Sequence, residues 1–71
     1  MNRIHVSEKY SGDGKRLAVI WYDTINKIYT TIYYDNDEFI NEVNSSAKLE
    51  IVEHLAEEFV MGRNNPKLLL E

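Results

Sequence analysis

The stretch Arg16–Asp35, RLAVIWYDTINKIYTTIYYD, constrains the fold more than any other part of the chain. Two runs of alternating, β-branched and aromatic residues flank a polar turn, which is the pattern of a β-hairpin. The first run sets Leu17, Val19 and Trp21 on one face and Ala18, Ile20 and Tyr22 on the other. Both sets are apolar, so this strand has to be covered, at least in part, on both sides. The second run places Ile28, Thr30, Ile32 and Tyr34 against Tyr29, Thr31 and Tyr33. Between them, Asp23 and Asn26 offer side chains that satisfy local backbone groups in a turn.

The segments on either side extend this hairpin. Upstream, Ile4 and Val6 alternate with Arg3, His5 and Ser7, and Ser11-Gly12-Asp13-Gly14-Lys15 supplies two glycines for a hairpin loop. Downstream, Asp35-Asn36-Asp37 reads as a set of N-caps, with Glu38 in a first helical turn and Phe39, Ile40 and Val43 on the inner side of a short helix. Asn44-Ser45-Ser46 ends that helix and caps the next. Leu49, Val52, Leu55, Ala56, Phe59 and Val60 then recur at three and four, the stripe of an amphipathic helix that Gly62 terminates. The expected fold is therefore α+β: a three-stranded antiparallel meander (about 2–10, 16–23 and 28–34) with a short helix (about 37–44) and a longer one (about 46–61) on one face. Residues 63–71 are expected to form a C-terminal tail.

Seventy-one residues suit one small domain, 1–71, whose margin of stability is about 3–5 kcal/mol. With no cysteine, neither disulfides nor a thiolate metal site can reinforce it. The absence of cysteine fits a reducing compartment, and no apolar run is long enough for a leader or a membrane span. A soluble, cytoplasmic protein is expected.

Charge is distributed unevenly. Residues 1–34 hold Arg3, Lys9, Lys15, Arg16 and Lys27 against Glu8, Asp13 and Asp23, whereas residues 35–60 hold eight acids against Lys48 alone. Asp37, Glu38, Glu42, Glu50, Glu53, Glu57 and Glu58 thus form a candidate acidic surface on the expected helices, suited to a protein partner with a basic surface. An ordinary solvated helix face is the plainer account of the same residues.

A second reading uses the sheet. Tyr22, Tyr29 and Tyr33 with Arg3, Lys15 and Arg16 could stack and pair with nucleic acid, although the net charge of −4 opposes phosphate and disfavours that partner. A third reading is a homodimer, for which the three terminal leucines Leu68, Leu69 and Leu70 are the candidate contact. Glu50, His54 and Glu57 share a helix face at metal-ligand spacing, but one helix offers no further ligand and glutamates commonly accompany histidine without metal. No cofactor and no metal are expected. Ser11–Lys15 leads into a strand and is too short for a phosphate loop, and no serine sits in a nucleophile elbow, so no enzyme is expected.

No family motif stands in the sequence. In architecture alone, the strand–strand–strand–helix order with its glycine turn resembles the DNA-binding arms of some phage integrases, from which the acidity departs. A short, acidic chain without catalytic motifs is also similar to small phage- or prophage-encoded inhibitors. That resemblance implies a non-enzymatic interaction module that competes for a basic groove.

Overall fold

A computed structural model describes residues 2–62. It comprises β1 (Arg3–Tyr10), β2 (Arg16–Asp23), β3 (Ile28–Asp35), β4 (Glu38–Ser45) and α1 (Leu49–Val60). The strands form one antiparallel sheet in the order β1-β2-β3-β4, and α1 lies across one face of it. The α+β class is as expected, but the expected short helix at 37–44 is instead the fourth strand, on the edge beside β3.

Two local devices account for that correction. Asn36 and Asp37 both have positive φ, 57° and 68°, the conformation a two-residue hairpin of primed type requires. Asparagine and aspartate are the non-glycine residues that adopt it most readily, so Asp35–Asp37 turns the chain back and caps nothing. The second device is a bulge in β4. Tyr33 pairs with Asn41 and Tyr34 with Phe39, so Ile40 is an extra residue in the ladder. A bulge shifts the alternation of a strand by one residue. The apolar positions 39, 40 and 43 consequently fall at a spacing that imitates a helix, while Ile40 and Val43 both pack toward the core.

A matching bulge in β1 lies between His5 and Ser7. Beyond it Ser7 turns toward α1, where its hydroxyl donates to the Glu53 carboxylate at 3.2 Å. Simple alternation had placed Ser7 with Arg3 and His5, away from the core side. Val6, the extra residue, packs against the core.

The core lies between α1 and the face of the sheet that carries Ala18, Ile20 and Tyr33. Val52, Ala56, Phe59 and Val60 of the helix fill the other side, and the rings of Tyr33 and Phe59 meet edge to face at 4.8 Å. Each large side chain removed from water here contributes about 1.5–3 kcal/mol. The helix is three residues shorter at its start than expected, beginning after Lys48, which makes no side-chain cap. It ends as expected at Gly62, whose φ of +80° carries the chain out of the helix.

Arg16 of β2 completes that helix end. Its Nη1 donates to the Phe59 carbonyl at 2.9 Å, and the guanidinium lies 5.2 Å from the Phe59 ring centre. No helix among the described residues is long and apolar enough to cross a membrane.

Candidate functional site

Strand geometry divides the candidate residues between two faces of the sheet. Side chains alternate, and directly paired residues share a face, so the register assigns each one. On the helix side stand Arg16, Ala18, Ile20 and Tyr22 of β2, paired with Asp35, Tyr33, Thr31 and Tyr29 of β3. On the opposite side stand Leu17, Val19 and Trp21 of β2 with Tyr34, Ile32 and Thr30 of β3.

The seven acids are not brought to one surface. Glu50, Glu53, Glu57 and Glu58 lie on α1, whereas Asp37 is in the β3–β4 turn and Glu38 and Glu42 are on β4. Glu42 pairs with Ile32 and therefore projects from the side away from the helix. Within the helix set, Glu53 accepts the Ser7 hydroxyl and Glu57 meets the Lys9 ammonium at 3.4 Å. These contacts fasten α1 to β1. Glu50 is exposed on the outer side of the helix, beside Ile51 and His54.

The residues proposed for nucleic acid are divided as well. Tyr33 is 2 % exposed in the core, and burial holds its hydroxyl above the usual tyrosine pKa. It offers no ring to stack on. Tyr22 and Tyr29 meet each other at 5.0 Å, half-buried on the helix side. Arg16 is engaged with Phe59 and lies 3.8 Å from Asp35. Only Arg3 and Lys15 remain displayed, at opposite ends of β1–β2. Leu68, Leu69 and Leu70 lie outside the described residues.

What sequence reasoning missed is the second face of the sheet. β2 required cover on both sides, and among the described residues no element covers the side away from α1. That open face carries Leu17, Trp21, Ile32 and Tyr34 across its two central strands, with Tyr10 and Phe39 on the edges at 62 % and 61 % exposure. An uncovered antiparallel face is ordinarily polar, whereas this one sets its apolar residues among Arg3, His5, Glu8, Asp23, Glu42 and Asn44.

The open face is also ordered by its own contacts. The Arg3 guanidinium lies 5.4 Å over the Trp21 ring, and His5 meets the same ring edge-on at 5.3 Å. At the other end Tyr34 and Phe39 contact each other at 6.4 Å across the β3–β4 pair. Tyr10 donates its hydroxyl to the Glu8 carboxylate, which raises the tyrosine pKa. The Thr30 hydroxyl donates to Asn44 at 2.8 Å, which satisfies a buried polar group in the middle of the face. A shallow hollow lies between the turns, with Leu17 and Tyr34 beside Lys15 and Asp37.

The turns after β1 and after β2 each hydrogen-bond a carboxylate of their own. Asp13 accepts the Ser11 hydroxyl at 2.6 Å and the Lys15 N–H at 2.9 Å. Asp23 accepts the N–H groups of Asn26 and Ile25 and the Asn26 side-chain amide. These donors hold both carboxyls below the ordinary carboxylate range, led by the Ser11 hydroxyl at Asp13 and by Asn26 at Asp23. Comparison of the chain with family models, with curated proteins and with solved structures finds no match.

Proposed function

We propose that this chain is a non-enzymatic protein-interaction module and that the open face of the sheet is its contact surface. One observation supports this most directly: β2 and β3 present apolar and aromatic side chains on both faces, while α1 occupies only one. Burying six large side chains of this kind is the main source of affinity at protein interfaces, where tyrosine, tryptophan and phenylalanine are enriched. The cytoplasm is the proposed location, in keeping with a chain that uses no cysteine.

The acidic flank of α1 is a second reading. Glu50 and Glu57 are exposed and α1 itself contains no lysine or arginine, so this side would attract a basic partner and compete for its groove. The two surfaces lie on opposite sides of the molecule and one experiment separates them. A photoreactive phenylalanine analogue replaces either Phe39 or Ile51 in the full chain, and the cells that make the protein are irradiated. Protein adducts at position 39 and none at position 51 are expected. Adducts at position 51 alone, or at neither, would refute the open-face reading, and the former would favour the acidic flank.

A further inference from the structure

We propose that the occupant of the open sheet face is a second copy of this chain, docked face to face about a two-fold axis. This rests on the open-face reading above and names its partner.

Each of the four strands is eight residues long. At about 3.3 Å per residue and 4.8 Å between strands, the face measures roughly 26 by 19 Å, or about 500 Å² in plan. Two such faces remove on the order of 1,000 Å² from water, and more once side-chain relief is included, which reaches the size of a specific interface.

The molecule carries −4, yet its larger excess of acid is on the far side, on α1 with Glu50, Glu53, Glu57 and Glu58. The open face carries a smaller excess, with Arg3 and Lys15 against Glu8, Asp23, Asp37 and Glu42. Two copies therefore meet less repulsion sheet to sheet than they would through their helix sides. A polyanion finds no net attraction on such a face, and a strongly basic protein would be drawn to the helix side.

A two-fold axis running across the strands reverses their direction in the second copy. It sets the Arg3 end of one β1 over the Glu8 end of the other, twice. Leu17, Trp21, Ile32 and Tyr34 of both copies then occupy the layer about 10 Å thick that separates packed sheets. Phe39 closes the rim.

Sedimentation equilibrium of the purified full chain, from micromolar to millimolar, tests this. The expected mass rises from 8.4 kDa toward twice that value with concentration. Phe39→Glu, at an exposed position that costs the fold little, is expected to weaken the dimer by at least about tenfold, because the change is present twice. Ile51→Glu on the outer helix side and Leu69→Asp near the end of the sequence are expected to leave it unchanged, and far-ultraviolet circular dichroism confirms that each variant is folded. A constant 8.4 kDa at every concentration overturns the proposal, as does a dimer that survives Phe39→Glu or is lost with Leu69→Asp. If the pure chain is monomeric while position 39 still crosslinks to another protein in cells, the second copy is refuted and the interaction face stands.

Discussion

Replacing Arg16 by alanine removes two interactions that join the start of β2 to the end of α1, and a third with Asp35 of β3. The largest is the hydrogen bond to the Phe59 carbonyl at 2.9 Å. It gives the Phe59 carbonyl, which also accepts the Gly62 N–H at 3.0 Å, a second donor and places a cation at the negative end of the helix dipole. A charged donor of this kind is worth about 1.5–3 kcal/mol when sheltered. The Arg16 side chain is 35 % exposed, so water can partly replace it, and about 1 kcal/mol is the appropriate share. The guanidinium over the Phe59 ring adds roughly 0.5 kcal/mol. The pair with Asp35, at 3.8 Å between two half-exposed groups, adds at most a few tenths. The loss is then about 1.5–2 kcal/mol, which in a domain of this size lowers the melting temperature by roughly 10 °C. Circular dichroism at 222 nm through a thermal melt measures it, and Arg16→Lys, which keeps the charge without the planar fork, should lose less. An alanine variant that melts within about 2 °C of the parent would refute the assignment of Arg16 as the cap of this helix.

Two further outcomes follow from the same geometry. Tyr33→Ala empties the centre of the core and should cost about 3–5 kcal/mol, close to the whole stability of a chain this short, so the variant should be largely unfolded at 25 °C. Tyr33→Phe should fold, and a folded, soluble Tyr33→Ala protein with a native spectrum would show that the ring is not buried. Asp13 and Asp23 bind protons more weakly folded than unfolded, so their stabilisation is complete above about pH 4 and is lost as the pH falls through their lowered folded values. Asp23→Ala should accordingly flatten the acid limb of stability in melts taken between about pH 6 and pH 2.5, and a variant as acid-sensitive as the parent would contradict the sign.

The correction at Glu38–Ser45 shows where local reading of this chain fails. A period of two is the mark of a strand, and one inserted residue destroys it. Ile40 does so in β4, leaving Phe39, Ile40 and Val43 at a spacing that belongs equally to a helix. Asp35-Asn36-Asp37 compounds the error, because the same side chains that cap helices also tolerate the positive φ of a tight hairpin. The acidic surface depended on that misreading. With β4 in the sheet, Glu42 projects from the open face and only four of the seven acids share the helix. By contrast α1 was legible from its stripe, since Val52, Ala56, Phe59 and Val60 lie on one side at helical spacing and Gly62 follows.

The open face was half legible. Leu17, Val19 and Trp21 alternating with Ala18, Ile20 and Tyr22 required apolar cover on both sides of β2, and nothing in the string of residues says how many covers the chain itself provides. That is a question of which elements meet in space. The same limit applies to the tyrosines: Tyr33 and Tyr34 are neighbours of identical chemistry, yet one is in the core and the other on the open face.

Local chemistry along the chain therefore determined three strands, the amphipathic helix, the glycine-bearing turn and the excess of acid after residue 34. Each of these depends on interactions within a few residues: alternation, capping, tolerance of positive φ. Tertiary structure alone decided the fourth strand, the capping of α1 by Arg16 from forty-three positions away, and the side of the sheet on which α1 lies. Those depend on register between distant segments, where one bulged residue reverses every side chain beyond it.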